Sequence, residues 1–136
     1  MKNQLEMVSK FQTAFGQQVC KKPTLVSESL SKLRYDLMDE ENIEYLQACQ
    51  DGDLVEVADA LADQLYILCG TILSHGMQDI IEKCFSEVQR SNMSKLDEEG
   101  LPIINGEKGV FDESRPLGKI LKSKNYSEPN LKQFLS

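Results

Sequence analysis

Histidine is nearly absent from this chain of 136 residues: His75 is the only one. A di-iron carboxylate bundle needs Glu-x-x-His on two helices. His75 does not lie three residues after a glutamate, so that chemistry has no ligand set here. Cysteine is also sparse. Cys20, Cys49, Cys69 and Cys84 lie far apart with no CxxC spacing, which argues against a zinc site and for reduced thiols in a cytosolic, cytoplasmic protein. Basic charge is short, with 15 Lys and Arg against 22 Asp and Glu and a net charge of −7. Without an overall basic field, a nucleic acid polymer is excluded as a bulk partner. No run of about 18 apolar residues occurs, so no segment is expected to span a membrane. Lys2, Glu6 and Lys10 interrupt the N-terminus, which lacks the apolar stretch of a signal region. No internal repeat or low-complexity segment is evident.

What remains is an ordinary globular composition, 40% hydrophobic, at the length of one domain. Leu5, Val8, Phe11 and Phe15 recur at helical spacing and are closed by Gly16, predicting a helix over 2–15. Ser27-Glu28-Ser29 opens a second helix, expected to run to about Cys49. Gln50-Asp51-Gly52-Asp53 reads as a short turn, with Asp51 or Asp53 as N-cap of a third helix ending near Ser74-His75-Gly76. So short a turn makes the second and third helices an antiparallel pair. Ile80, Ile81, Cys84, Phe85 and Val88 mark a fourth helix over 77–92. The expectation is an all-α, four-helix bundle over 1–96. Its C-terminal tail, 97–136, is rich in glycine and proline. The tail would wrap its own domain or a neighbouring subunit, with at most one short hairpin.

Two acidic stripes interrupt this apolar pattern. On the second helix Leu30, Leu33 and Leu37 lead on to Glu41 and Glu44, so the core face turns from leucine to carboxylate without leaving the face. The third helix, Leu54 to Ile72, is apolar almost all round, which usually marks a central helix. Glu56, Asp59 and Asp63 form one stripe on it. Both stripes flank the turn and approach the same end of the hairpin. Buried carboxylates must be paired, protonated or bound to a cation, and no Lys or Arg lies between Arg34 and Lys83. An all-oxygen set without a local base suits a hard divalent cation, Mg²⁺ or Mn²⁺. Glu40 and Glu56 have plainer explanations as a solvated face and a first-turn acid. Positive charge returns in the tail at Arg115, Lys119, Lys122, Lys124 and Lys132, where it could hold an anionic substrate.

The arrangement resembles the all-α nucleoside triphosphate pyrophosphohydrolases, the superfamily of MazG, phosphoribosyl-ATP pyrophosphohydrolase and dCTP pyrophosphatase. It is most similar to the small single-domain phosphoribosyl-ATP pyrophosphohydrolase-like proteins of bacteria and phages. Four ordered segments carry the resemblance: Met7-Val8…Phe11…Phe15-Gly16, the ExxE of Glu41-Asn42-Ile43-Glu44 with the run from Asp51 to Asp63, Arg90-Ser91-Asn92-Met93-Ser94-Lys95-Leu96, and Gly118-Lys119…Lys122…Asn125-Tyr126…Pro129-Asn130-Leu131. The ExxD motif that follows ExxE has two registers here. Read literally it is Glu56-Val57-Ala58-Asp59. Aligned on Ala62-Asp63-Gln64-Leu65-Tyr66, its aspartate is Asp63, Ala60 takes the glutamate position, and Asp59 stands in for it.

The resemblance implies hydrolysis between the α- and β-phosphates of a nucleoside triphosphate, giving a monophosphate and pyrophosphate. It implies Mg²⁺ held by Glu41, Glu44, Asp59 and Asp63, with Glu40 or Glu56 as the base. Arg90, Asn92, Lys95, Lys119, Lys122, Tyr126 and Asn130 become candidates for phosphate, sugar or base. It also implies a homodimer or homotetramer, in line with apolar surface on the first and fourth helices beyond what a lone bundle needs. The competing reading is a catalytically inactive helical interaction module, in which the acids tolerate replacement. His75 reads as a cap or surface residue, and Met1, Met7, Met38, Met77 and Met93 as core filler.

Overall fold

A computed structural model describes residues 1–135. It is all-helical, with α1 (Lys2–Ala14), α2 (Glu28–Asp51), α3 (Leu54–Ser74), α4 (Ile81–Met93) and a 3-10 turn at Leu131–Phe134. Among the described residues there is no strand, only one isolated antiparallel bridge between Ile104 and Ile120. The chain divides into two compact units, Met1–Ile81 and a second that begins at Glu82.

In the first unit α3 is central, packing against both α1 and α2. The core joins Leu5 and Val8 of α1 to Cys69, Ile72 and Leu73 of α3, with Val19, Met77 and Ile81 packed on it. Cys69 is fully buried, as a small hydrophobe would be, and all four cysteines are free thiols. The connector before α2 is held by backbone bonds to the end of α3, Cys20 N to Leu73 O and Thr24 N to His75 O, both 2.9 Å. His75 caps α3, and its Nδ1 lies 2.8 Å from Thr24 O.

The caps follow the sequence closely. The Ser27 side chain accepts from Leu30 N, and the Asp53 carboxylate accepts from Val55 N and Glu56 N. This satisfies donors that an α-helix leaves unpaired at its start. α2 runs two residues past Cys49, because Gly52 takes the left-handed conformation (φ 69°) that ends it. α4 starts at Ile81, later than the spacing predicts. Residues 77–80 close a turn instead, in which Met77 N reaches back to Ile72 O and the Gln78 side chain donates to Cys20 O.

The α1 stripe is also corrected. Its buried residues are Leu5, Val8 and Gln12, whereas Phe11 and Phe15 are exposed. On α2 the inward position is Arg34, and Leu33 is exposed. Taken whole, α3 is long and apolar enough to cross a membrane by length and composition, although the sequence has no uncharged run of that length.

In the second unit the tail is largely turns. Asn105 is fully buried and anchors them: its Nδ2 donates to the carbonyls of Asp112, Arg115 and Pro116, and its Oδ1 accepts from Asp112 N. Residues 123–130 lie along α4 and the turn after it. Ser123 Oγ donates to Leu96 O and Ser127 N donates to Ser94 Oγ, both at 2.8 Å.

Candidate active site

The carboxylates gather on the α2–α3 hairpin. Its tight turn at Gly52-Asp53 fixes the register of the two helices near their joined ends. Farther along, Gln64 of α3 ties them by donating to Glu41 O (3.3 Å) and Asn42 Oδ1 (3.1 Å). Near the turn a cavity of about 300 Å³ is lined by Glu44, Asp51, Asp53, Glu56 and Asp59, with Gln47 and Ala48. Glu44 of the first acidic stripe and Glu56 and Asp59 of the second therefore face one space, whereas Glu40, Glu41 and Asp63 do not line it.

Glu41 marks the inner end of this set. Its Oε2 is shut off from solvent and has no hydrogen-bond partner. Burial pushes its pKa above the usual carboxylate value, and the neighbouring charges of Glu44, Asp63, Glu40 and Asp59 push it the same way. Four other carboxylates thus act on a carboxyl group with one buried oxygen. Among the described residues the side chains of Glu40, Glu41, Glu44, Glu56, Asp59 and Asp63 make no ion pair or hydrogen bond. Glu40, Glu44, Glu56, Asp59 and Asp63 are exposed, and no three Asp, Glu, His or Cys side chains there already converge as a finished metal cage.

The donor chemistry fits a hard divalent cation. All the side-chain donors are oxygens, the charge is uncompensated, and one buried oxygen lacks any partner among the described residues. The two registers of the second motif are not exclusive. Glu56 and Asp59 line the cavity, while Asp59 and Asp63 both act on Glu41.

The seven residues considered for substrate all lie in the second unit. Arg90 is engaged there: Nε and Nη2 make a two-pronged pair with Glu87 (2.9 and 2.8 Å), Nη1 reaches Ser127 Oγ and Nη2 also reaches Glu128 O. Together with the Asn130 N–H, that guanidinium holds the Glu87 carboxyl down at about 2. Lys95 Nζ donates to Asn92 Oδ1 at 2.8 Å. Lys122 sits over the Tyr126 ring, 4.1 Å from its centre. Lys119 is exposed, with its carbonyl bound by Asn105 N.

Sequence reasoning passed over Gln12, Tyr66 and Gly70, and noted Arg34 only as a nearby base. The available signal was positional. Gln12 falls seven residues after Leu5 and four after Val8, on their stripe, and Arg34 falls between Leu30 and Leu37 on theirs.

No curated protein matches this chain in sequence. A family match does exist, and it covers Gln12, Arg34 and every carboxylate described above. Residues 8–92, more than half the chain, match the phosphoribosyl-ATP pyrophosphohydrolase family, and the chain belongs to that family of enzymes, hydrolases acting on phosphoric anhydrides.

Proposed function

We propose that the protein is a Mg²⁺-dependent nucleoside triphosphate pyrophosphohydrolase that cleaves between the α- and β-phosphates. The observation that carries this reading is the unpaired carboxylate set around the buried Glu41 oxygen. Divalent-metal dependence is general in the family. Glu41, Glu44, Asp59 and Asp63 would hold Mg²⁺, or Mn²⁺, which neutralises phosphate charge and polarises water when bound. Four like charges on rotatable side chains stay apart until a cation draws them together.

Within that frame each residue has a task. Glu41 sits deepest and fixes the inner edge of the site. Glu44 and Asp59 face the cavity from opposite helices and orient the anhydride between them. Glu56 shares the same cavity and accepts the proton of the attacking water, with Glu40 as the alternative base. The expected products are a nucleoside monophosphate and pyrophosphate. Arg90, Lys95, Lys119 and Lys122 are the cations proposed for the phosphates, as charge-assisted donors. Asn92, Tyr126 and Asn130 remain proposals for sugar or base. We propose a cytoplasmic homodimer or homotetramer, and exposed Leu54, Leu61, Leu65 and Leu68 on α3 support the association.

The test is pyrophosphate release from ribo- and deoxyribonucleoside triphosphates with Mg²⁺ or Mn²⁺, for wild type, Glu44→Gln and Asp63→Asn. Metal-dependent release that both substitutions abolish is the expected result. Release that survives both substitutions would overturn the roles given to these carboxylates, and no release with Mn²⁺ failing to bind by calorimetry would favour the inactive interaction module.

A further inference from the structure

The first unit holds another cavity, open to solvent on one side and of about 180 Å³, whose lining includes none of the carboxylates. Phe11, Gln12, Arg34, Leu37, Tyr66 and Gly70 form much of its wall. Two of these are polar side chains in places usually left to apolar ones. Gln12 is 2% exposed. Its Nε2 donates to Gly70 O (3.2 Å) and Ser74 Oγ (3.4 Å), but its Oε1 has no partner. Arg34 is also buried, and among the described residues no carboxylate pairs with it. Nε donates to Thr71 Oγ1 and Nη2 to Ile67 O. A guanidinium has five N–H donors, and two of them are used by acceptors among the described residues, which leaves the others free to meet a ligand in the cavity.

Such groups are expensive to keep. A buried, unmade hydrogen bond costs about 1–3 kcal/mol, and a buried charge without a counter-charge costs more. α3 also gives up a side chain to make room for them. A Cβ at Gly70 would lie 2.5 Å from Arg34 Nη2 and 3.3 Å from Gln12 Nε2. The other wall is aromatic, with Phe11 edge-on to Tyr66 at 5.6 Å between ring centres. An acceptor, a planar donor and aromatic walls suit a flat heterocycle carrying adjacent N–H and acceptor positions. A cavity of about 150 Å³ holds one benzene, so a space of about 180 Å³ matches a single six-membered ring more closely than a fused pair.

Its place along the helices matters as much as its lining. Arg34, Leu37 and Glu41 follow one another on the same face of α2. Seven residues separate Arg34 from Glu41, about 10 Å of helix rise, and four separate Asp63 from Ile67, about 6 Å. A nucleotide whose phosphates meet the carboxylates can extend its base that far.

We infer that this cavity is the base pocket and that it selects pyrimidines. Gln12 Oε1 accepts from a ring or exocyclic N–H, and Arg34 donates to the adjacent carbonyl or ring nitrogen. The assignment of the base to a substrate rests on the hydrolase reading; the binding of a pyrimidine does not.

The test has two arms. Without metal, the ring signals of Phe11 and Tyr66 are followed by NMR as dUMP, dCMP, dAMP and dGMP are added. Either pyrimidine should shift them to saturation, the purines should not, and Gln12→Met should weaken pyrimidine binding at least tenfold. Tyr66→Leu, at a position more than a third exposed, serves the same purpose should Gln12→Met fail to fold. Absent shifts, or equal shifts with purines, overturn the proposal. With metal, kcat/KM should favour dUTP or dCTP over dATP and dGTP, and Gln12→Met should raise KM for the pyrimidines with kcat nearly unchanged. Equal cleavage of all four, lowered alike by Gln12→Met, also overturns it. Pyrimidine-selective binding with no cleavage of any nucleotide upholds the pocket and refutes the hydrolase reading alone.

Discussion

Gly70→Ala is the sharpest probe of the packing around Arg34. In a helix interior this exchange ordinarily stabilises by roughly 0.5–1 kcal/mol, because alanine loses less backbone entropy on folding. Here the new methyl group would stand 2.5 Å from Arg34 Nη2 and 3.3 Å from its Cζ. The guanidinium must move, and the bond it gives up is Nη2 to Ile67 O, 2.6 Å long. A hydrogen bond from a charged group contributes about 1.5–3 kcal/mol. The loss outweighs the entropic gain, leaving about 1–2 kcal/mol of destabilisation. For 136 residues, an unfolding entropy of about 2.1 cal/mol/K per residue converts this to a fall in Tm of roughly 4–7 °C. Thermal melts followed by circular dichroism measure it. In an Arg34→Met background the obstructing group is gone, and the same exchange should raise Tm by a few degrees. A rise in the wild-type background, or equal changes in both, would refute the reasoning.

Further expectations concern the charged groups and the tail. Glu41→Gln removes a charge that has one buried, unpaired oxygen and four like-charged neighbours, so it should raise the Tm of the metal-free protein at pH 7 while abolishing pyrophosphate release. Added Mg²⁺ or Mn²⁺ should raise the wild-type Tm, by about 2.7 kcal/mol of stability at a hundredfold excess over Kd; Asp63→Asn should suppress most of that gain. Glu87 has its pKa lowered from 4.5 to about 2 by Arg90 and the Asn130 N–H. Its contribution is therefore fully present above pH 4.5 and is lost as the pH falls towards 2, so the protection of the Asn130 amide, taken relative to its intrinsic exchange rate at each pH, should fall across that window. Glu87→Gln should give the lower protection already at pH 6. Asn105→Leu leaves the carbonyls of Asp112, Arg115 and Pro116 without their shared donor, and should speed exchange across 105–120 while leaving α1–α3 protected.

Periodicity and turn chemistry made much of this legible. Glu41 continues the face of Leu30 and Leu37, and Gly52-Asp53 joins two helices with too little chain to do anything but double back. The caps at Ser27 and Asp53 were local signals and appear where expected. The rest depended on partners distant in sequence. Phe11 and Gln12 are neighbours, and hydrophobicity alone favours turning the phenylalanine inward. The glutamine goes in because Gly70 O and Ser74 Oγ, 58 and 62 residues away, accept from it. Leu33 and Arg34 pose the same choice, which Ile67 O and Thr71 Oγ1 decide. Asn105 could not be singled out in a tail of turns, since its acceptors become neighbours only once the loop has closed.

The short turn between α2 and α3 also bears on how the chain folds. From Glu40 to Asp63, every proposed ligand and base lies within one helical hairpin, so the site is built from the most sequence-local tertiary structure in the chain. Local contacts carry little loop-closure entropy and form fast. The hairpin that closes readily is thus also the one that brings the like charges together. Repulsion among them opposes its docking, and a divalent cation present during refolding would accelerate that step as well as stabilise its product.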